Sequence, residues 1–290
     1  MNLCQVSVIK GLMAEAGITF RKEFGQNFLI SPDVPERIAD ECADSSDTVI
    51  LEIGPGIGCL TAELAARYRH VVAVEIDSGL IPILSKTLAE FDNVTVINAD
   101  CMKLDLGRAI ADALGTPSLD GITLAVCANL PYYITTPILM HLLESDLPLS
   151  SITVMIQKEV ADRLVSPPGK SDYGAITAVL GYYGTVRRLF TVPPGCFLPA
   201  PKVSSSVVRI DLPSERPIAV SSEETLMRLI HAAFEMRRKT LVNAVSAKFP
   251  SIGKDRLAEI LSELGFDVNI RGERLSTADF ARLADRISAL

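Results

Sequence analysis

Short apolar runs alternate with segments of helical spacing through the first two thirds of the chain. The apolar runs have strand length and cover residues 48–53, 71–75, 94–98, 122–128, 151–157, 185–190 and 204–211. Helices are predicted between them, near 32–42, 58–68, 79–90, 135–145, 158–165 and 174–182. Strands that are apolar on both faces are typical of a parallel sheet covered by helices, so the pattern predicts an α/β fold.

The last two predicted strands follow each other without a helix between them. The segment 191–203 that joins them is rich in proline, which predicts an antiparallel hairpin at one edge of the sheet. After residue 212 the spacing becomes helical, near 222–234, 238–247, 255–264 and 276–288. We therefore predict an α/β domain over 1–212 and a small all-α domain over 213–290.

The composition is typical of a globular protein, with 48% hydrophobic and 22% charged residues in a chain of 290. No apolar run is long enough to cross a bilayer, and Lys10 interrupts the apolar positions of the N-terminus. A cytoplasmic protein without a membrane partner is expected. The six cysteines are scattered, with no C-x-x-C pair, which predicts free thiols and no metal site.

The net charge of −7 argues at first against a nucleic-acid partner, whose phosphates normally meet Lys and Arg. The charge is unevenly distributed, however. Residues 215–290 carry 12 Lys and Arg against 11 Asp and Glu, and within them Arg237, Arg238 and Lys239 are adjacent. The local charge therefore keeps RNA or DNA possible as a partner.

Three glycines follow the first strand of the predicted sheet and lead into a helix. They are Gly54, Gly56 and Gly58, while Glu75 ends the second strand and Asp100 ends the third. An acid at the end of the second strand can accept hydrogen bonds from ribose hydroxyls, and Asp100 can accept from an adenine amino group. These residues meet at the carboxyl edge of an open α/β sheet, which predicts a site for an adenosine-containing cofactor. A nicotinamide dinucleotide is the alternative.

Glu52 precedes the glycine turn in the spacing E-x-G-x-G-x-G, which differs from the G-x-G-x-x-G of dinucleotide-binding enzymes. An acid at this position suits a cationic ligand better than a pyrophosphate. The turn resembles motif I of the S-adenosylmethionine-dependent methyltransferases, whose cofactor carries a sulfonium and an α-ammonium group. The resemblance implies S-adenosylmethionine as the cofactor and a Rossmann-like, seven-stranded sheet with an antiparallel edge hairpin.

The fourth strand ends in Asn129, Leu130, Pro131 and Tyr132, on the same predicted edge. The side-chain oxygen of Asn129 and the carbonyl of Leu130, restrained by Pro131, are two acceptors that can grip both N–H bonds of an exocyclic purine amine. Such a grip localises the nitrogen lone pair, and Tyr132 can stack on the base. A plain turn at a strand end is the alternative. The tetrad resembles the [D/N]-x-P-[Y/F] motif of methyltransferases that act on adenine N6.

The motifs together resemble the ribosomal RNA adenine dimethyltransferases, which dimethylate two adjacent adenosines near the 3′ end of small-subunit rRNA. KEFGQNFL, over residues 22–29, looks like the N-terminal cofactor motif of that family. Cofactor contacts are implied at Asn27, Leu29, Gly54, Gly56, Glu75, Asp100 and Asn129. The implied partner is small-subunit rRNA within an immature ribosomal subunit, met by a monomeric enzyme.

Two further blocks extend the resemblance into the rest of the chain. In VPPGCFLPAPKVSSSVV, Phe197 corresponds to an aromatic residue placed beside the target base. In AFEMRRKTLVNAV, the resemblance implies that Arg237, Arg238 and Lys239 contact rRNA phosphates. Tyr133 stands where many relatives have Asn and receives no role from the resemblance.

Two rival functions are compatible with parts of the sequence. The large-subunit rRNA methyltransferases that confer macrolide resistance share the Asn-x-Pro-Tyr core. A binding protein on the same fold, such as a ribosome-assembly checkpoint or a transcription factor, would be expected to carry a damaged motif. Gly54, Glu75 and Asn129 are all intact, which favours an enzyme.

Overall fold

The computed structural model describes residues 1–18 and 26–290. The strands of this described part are β1 Phe28–Leu29, β2 Val49–Ile53, β3 His70–Glu75, β4 Val94–Asn98, β5 Leu124–Asn129, β6 Leu149–Gln157, β7 Thr185–Val192, β8 Phe197–Leu198 and β9 Ser205–Asp211. The α-helices are α1 Val6–Glu15, α2 Asp33–Asp40, α3 Cys59–Ala65, α4 Ile81–Thr87, α5 Leu106–Leu114, α6 Thr135–Leu143, α7 Lys158–Leu164, α8 Ala175–Tyr183, α9 Glu223–Glu235, α10 Leu241–Ser246, α11 Lys254–Glu263 and α12 Thr277–Ser288. Among the described residues, no helix combines the length and the apolar character needed to span a membrane.

Seven strands of the described chain form one sheet, in the order β4-β3-β2-β5-β6-β9-β7. The neighbours from β4 to β6 pair in parallel, and β9 pairs antiparallel with β6. The predicted mostly parallel sheet with an antiparallel return at one edge is therefore confirmed. Because β3 and β5 flank β2, the segments that follow these three strands meet at one edge of the sheet.

Helices α2 and α3 pack against the sheet through a buried apolar cluster. Its members include Ile38 of α2, Leu60 and Leu64 of α3, and Ile50 and Met155 of the sheet. Burying one such side chain contributes about 1.5–3 kcal/mol relative to leaving it exposed. This packing fixes β2, and with it the start of the glycine turn.

Two features that involve the N-terminal part of the chain were absent from the predicted elements. Helix α1 buries Ile9, Leu12 and Met13 in a second apolar cluster that also contains Ile57, from the glycine turn, and Ile83 of α4. The short strands β1 and β8 pair antiparallel in a separate two-stranded sheet. Both features bring residues from distant parts of the sequence next to the cofactor motifs.

The chain forms two compact units, Met1–Ala161 with Arg187–Leu212, and Asp162–Val186 with Pro213–Leu290. The predicted division differs at residues 162–186, which were expected in the first domain. Their hydrogen bonds explain the difference. The Thr277 hydroxyl donates to the Ala178 carbonyl over 2.8 Å, and the Tyr173 hydroxyl donates to the Leu275 carbonyl over 2.9 Å.

The second unit has a helical core of its own. Helices α8, α9 and α12 bury Leu180, Ile230 and Phe280 in it. Gly272 lies so close to α9 that an added Cβ would stand 2.6 Å from the Ala233 Cβ, which accounts for glycine at that position. The predicted all-α character of the C-terminal region is thus confirmed.

Candidate active site

A pocket lies at the carboxyl edge of the sheet, in the first unit. It is lined by residues that follow four neighbouring strands and by the segment that contains β1. The lining includes Gln26, Asn27, Leu29, Glu52, Gly54, Gly56, Glu75, Ile76, Asp100, Asn129, Leu130, Pro131, Tyr132 and Tyr133. Every residue predicted to contact the cofactor is among them. Residues 22–25 of the predicted N-terminal motif lie outside the described part of the chain.

The glycine turn has the backbone conformation that its sequence requires. Gly54 has φ +73° and Gly56 has φ +63°, in the left-handed region where other residues are strained. An added Cβ at Gly56 would also stand 3.2 Å from the Phe28 ring. At Gly54 an added Cβ would meet no described atom within 4 Å, so the backbone there is open to a ligand.

Glu75 is held by two backbone amides, one of which belongs to this turn. Its Oε2 accepts a hydrogen bond from the Gly56 amide over 3.2 Å, and its Oε1 accepts from the Asp77 amide over 2.8 Å. Burial raises the pKa of Glu75, and these two amides oppose that rise. A carboxylate has about four acceptor positions, so the group keeps capacity for two further donors such as ribose hydroxyls.

Glu52 is the buried acid of the pocket. Its side chain is 1% exposed, and its Oε2 has no hydrogen-bond partner within the described residues. Burial raises the pKa of Glu52 to about 8, the Thr61 hydroxyl opposes the rise, and the nearby charge of Glu75 adds to it. An unpaired buried acceptor costs free energy that a donor or cation in the pocket can recover. A cation bound in the pocket would favour the ionised form of Glu52, and the sulfonium and ammonium groups of S-adenosylmethionine carry such a charge.

Asp100 closes the pocket on the side of β4. Its Oδ1 accepts a hydrogen bond from the Met102 amide over 3.0 Å, and the exposed Lys103 ammonium lies 3.4 Å from its Oδ2. One carboxylate oxygen is thus held by the backbone, which orients the side chain. This geometry is compatible with the predicted acceptor role toward an adenine amino group.

The segment after β5 is held rigidly at the pocket. Asn129 donates a hydrogen bond from its Nδ2 to the Asn27 carbonyl over 3.3 Å, and the Leu130 amide donates to the Met155 carbonyl over 3.2 Å. The Pro131 carbonyl accepts from the Ile134 amide, also over 3.2 Å. Within the described chain, neither the Asn129 Oδ1 nor the Leu130 carbonyl is engaged by a donor. Two acceptors, close in the chain, are therefore available to a ligand.

Tyr132 is half-buried and anchored through its hydroxyl, which lies 2.8 Å from the Ser205 Oγ of β9. Burial raises the pKa of the Tyr132 phenol, and the hydrogen bond to Ser205 opposes the rise. The ring thus stays neutral near pH 7 and has a fixed position, as a stacking platform requires.

Phe197 does not have the position that the sequence predicted. Its side chain is 3% exposed, packs in the apolar cluster with Met155 and Val207, and is not part of the pocket lining. The cause is the pairing of β8 with β1, in which Phe197 lies opposite Leu29. A ring buried to this extent has no free face for a base, so the structure does not support the stacking role.

The basic triplet lies between α9 and α10 in the second unit, and its members differ. Arg237 is paired with Glu273 over 2.7 Å and donates to the Ser171 carbonyl over 2.6 Å, so it stabilises the unit itself. Arg238 and Lys239 are exposed, and no ion pair of theirs occurs among the described residues. Of the three residues in the triplet, Arg238 and Lys239 have the open charge expected of phosphate contacts.

Several residues of the pocket lining received no contact role in the sequence-based site prediction, among them Glu52, Gln26 and Ile76. Glu52 was recognised as part of the motif but received no contact role, although an acid before a glycine turn is a readable signal. Gln26 donates a hydrogen bond from Nε2 to the Asp77 Oδ2 over 2.8 Å and joins the two sides of the pocket. Ile76 follows Glu75 and is exposed at the pocket, a property that sequence periodicity does not report.

A mostly parallel sheet with an antiparallel return, a glycine turn after β2, an acid at the end of β3 and another after β4 define a Rossmann-like, S-adenosylmethionine-dependent methyltransferase. The family model described as ribosomal RNA adenine dimethylase matches residues 17–288. The chain belongs to this family.

Curated relatives agree with the family match. The chain is 47% identical over 270 residues to a ribosomal RNA small subunit methyltransferase A of Lachnoclostridium phytofermentans. The matched residues cover 92% of this chain and 91% of the relative. It is 44% identical over 289 residues to the protein of that name from Streptococcus pneumoniae serotype 2, with 99% and 98% covered. The crystal structure of a dimethyladenosine transferase from Plasmodium falciparum shares the fold, with a TM-score of 0.73, 24% identity, and 88% of this chain and 95% of the other covered.

Proposed function

We propose that this protein transfers methyl groups from S-adenosylmethionine to N6 of two adjacent adenosines near the 3′ end of small-subunit rRNA. The product is dimethyladenosine at both positions, and the role is in small-subunit biogenesis in the cytoplasm. The single observation that carries the proposal is the orientation of Asn129, whose Nδ2 is bonded to Asn27 while its Oδ1 is left open at the pocket. The printed names of the curated relatives favour the small subunit as the source of the rRNA.

The residues of this chain act on the target amine by holding it. The Asn129 Oδ1 and the Leu130 carbonyl accept the two N–H bonds of N6, and Tyr132 stacks on the ring. This grip draws the nitrogen toward tetrahedral geometry and concentrates its lone pair for attack. When bound, S-adenosylmethionine supplies an electrophilic methyl group on its sulfonium sulfur.

Proton transfer needs no strong base in this arrangement. The amine becomes acidic once it has gained a methyl group, and its proton leaves to water. Catalysis then comes from positioning, which can lower a barrier by about 7–11 kcal/mol at most. After the first transfer one N–H remains, so the pocket accommodates a methyl group on the other side of the nitrogen.

Cofactor binding is assigned to Asn27, Leu29, Gly54, Gly56, Glu75, Asp100 and Asn129. Glu75 binds the ribose hydroxyls, because the Gly56 and Asp77 amides each hold one of its oxygens and so orient the carboxylate. Asp100, which follows the next strand, accepts a hydrogen bond from the adenine amino group. We expect the enzyme to act as a monomer.

The second unit is assigned to rRNA binding. Arg238 and Lys239 are exposed cations with no ion pair in the described chain, and they are suited to phosphate oxygens. Arg237 supports them by holding the loop on Glu273 and Ser171. The expected partner is rRNA within an immature small ribosomal subunit, in which the two target adenosines are still accessible.

Transfer of a labelled methyl group tests the proposal and separates it from action on large-subunit rRNA. Unmethylated small and large ribosomal subunits are incubated separately with the enzyme and labelled S-adenosylmethionine. Label in small-subunit rRNA, lost in the Asn129→Ala variant, is the expected result. Label in large-subunit rRNA alone would favour the rival enzyme, and label in neither would overturn the proposal.

A further inference from the structure

Two large apolar side chains are exposed in the pocket lining as far as the chain is described. Ile76 is 52% exposed and Tyr133 is 66% exposed. Ile76 follows β3, next to Glu75, whereas Tyr133 follows β5, next to Tyr132. Because β2 lies between β3 and β5, the two side chains belong to opposite sides of the glycine turn. Tyr133 is therefore on the side of the proposed amine acceptors.

The environment of Tyr133 differs from that of the other described tyrosines. Tyr132 is anchored on Ser205, and Tyr68, Tyr173, Tyr182 and Tyr183 are all buried. No hydrogen bond and no ring contact of Tyr133 occurs among the described residues. Tyrosine is one of the residue types enriched at binding interfaces, and this exposed ring belongs to the lining of a polar pocket.

The backbone beneath this ring is fixed although the ring is open. The Pro131 carbonyl accepts hydrogen bonds from the Ile134 amide and the Thr135 hydroxyl, each over 3.2 Å, and so closes the turn around Tyr133. Helix α6 begins at Thr135, directly after this turn. A ring on a rigid turn loses little conformational entropy when it stacks, which suits it to binding.

We propose that Tyr133 stacks on the base that neighbours the target adenosine in the RNA strand, while Tyr132 stacks on the target itself. An RNA base is the occupant that the observations favour, because Tyr133 adjoins the acceptors for a base amine in the same pocket. Two rings one residue apart can serve two bases one nucleotide apart. The inference rests on the proposed function, and it assigns a positioning role to a residue that none of the motifs explains.

The proposed substrate makes the neighbouring base a target of the enzyme as well. If two adjacent adenosines are methylated, the neighbour of one target is the other target. Tyr133 then holds the second adenosine near the pocket while the first reacts. Loss of the ring should lower the share of rRNA molecules modified at both positions relative to those modified at one.

The test compares Tyr133→Ala and Tyr133→Phe, with Val6→Ala as a matched exposed apolar control outside the pocket. Affinity is measured for unmethylated small subunits, and cofactor affinity is measured separately by calorimetry. Stacking contributes about 1–3 kcal/mol per base, so Tyr133→Ala should weaken subunit binding roughly 5- to 150-fold. Tyr133→Phe and Val6→Ala should bind like the unaltered protein, and cofactor affinity should not change in any variant.

A second arm identifies the base. Small subunits are reconstituted with rRNA whose 3′ segment is synthetic and lacks the base beside the target adenosine. The unaltered enzyme should lose the same factor on this substrate as Tyr133→Ala loses on the complete one, and Tyr133→Ala should lose nothing more. Equal binding by Tyr133→Ala and the unaltered protein, or two losses that add independently, would overturn the inference.

The outcomes also separate this inference from the proposed function. If the proposed function is wrong, the unaltered enzyme does not methylate small subunits, whatever the variants show. If only the present inference fails, the unaltered enzyme and Tyr133→Ala methylate small subunits with the same KM. Because Tyr133 is exposed, its replacement should leave thermal unfolding unchanged, which excludes misfolding as the cause of a raised KM for small subunits.

Discussion

The Asn129 side chain donates a hydrogen bond from Nδ2 to the backbone carbonyl of Asn27, over 3.3 Å and across 102 residues of sequence. A carbonyl can only accept, so this bond fixes which end of the amide is nitrogen. The oxygen is consequently the end left for the ligand. One contact thus joins the predicted N-terminal cofactor motif to the predicted methyl-acceptor motif.

Replacing Asn129 should affect turnover far more than stability. In Asn129→Ala the acceptor is lost, and in Asn129→Asp the donor to Asn27 is replaced by an oxygen that repels its carbonyl. Loss of a preorganised hydrogen-bonding group costs about 10²–10³ in kcat in other enzymes, and we expect a decrease of that order. Methyl transfer to small subunits under single-turnover conditions measures it. An Asn129→Ala enzyme with normal kcat would show that the amide oxygen does not hold the target amine.

Glu52 should make the stability of the cofactor-free protein depend on pH. Burial raises its pKa to about 8 from 4.5, so between these values the unfolded chain loses the proton while the folded protein keeps it. The free energy of unfolding should then fall as pH rises, by up to about 1.4 kcal/mol per pH unit, and level off above the folded pKa. Below the unfolded pKa this contribution to stability is fully present.

The matched variant is Glu52→Gln, which cannot ionise and keeps nearly the same shape. Urea unfolding of both proteins at about pH 5 and about pH 8 gives the comparison. The difference in free energy of unfolding between variant and unaltered protein should grow in favour of the variant as pH rises. Parallel pH profiles would mean that Glu52 is ionised in the folded protein throughout this range.

Gly54→Ala should separate cofactor affinity from stability. The positive φ of Gly54 makes alanine cost about 1–2 kcal/mol in the free energy of unfolding, but an added Cβ meets no described atom within 4 Å. The methyl group would instead occupy space in the pocket. We expect a modest loss of stability and a much larger loss of S-adenosylmethionine affinity by calorimetry. An unchanged cofactor Kd would place the ligand away from the glycine turn.

Phe197 provides a test of core packing against base stacking. Its ring is buried in the apolar cluster that contains Met155 and Val207, so Phe197→Ala should cost about 3–5 kcal/mol in the free energy of unfolding. Phe197→Leu fills much of the same volume and should retain both most of the stability and methyl transfer. A Phe197→Leu protein that is stable but has lost methyl transfer would restore the stacking role that the resemblance implied.

The basic triplet should contain two cations that bind RNA, Arg238 and Lys239, and one that stabilises the protein, Arg237. Removing Arg238 and Lys239 together should reduce the slope of log K against log salt by roughly 0.7–0.9 for each cation, with thermal unfolding unchanged. Arg237→Ala should lower the stability of the second unit, because it breaks the bonds to Glu273 and Ser171. An unchanged salt slope in the double variant would remove this loop from the RNA interface.

Much of the sheet and the cofactor edge could be predicted from the sequence because their signals are local. Buried strands form continuous apolar runs, and the glycine turn and the acids occupy fixed positions relative to strand ends. Helix α5 was not predicted, although Asp105 caps its first turn through the Arg108 amide and Gly115 ends it at φ +64°. The two capping residues can be recognised in the sequence, but the helix between them is too short to show a clear periodicity.

Other features depend on contacts between distant residues and could not be predicted. β1 and β8 have two residues each, too few to show any alternation, and their pairing turns Phe197 into the core. The 162–186 segment follows strand-and-helix alternation like its predecessors, but the hydrogen bonds of Tyr173 and Thr277 tie it to the C-terminal helices. The sequence alone predicts that Arg237 is a surface cation, because its ion pair with Glu273 joins residues that are distant in the chain.

Dimethylation of two neighbouring adenosines of small-subunit rRNA can be observed on the modified bases themselves. Mass spectrometry of the 3′ fragment of that rRNA, after incubation of unmethylated small subunits with the enzyme and S-adenosylmethionine, tests it most directly. We expect dimethyladenosine at two adjacent positions, and neither modification with Asn129→Ala. Methylation at a single isolated adenosine, at a base other than adenine, or at no position would contradict it.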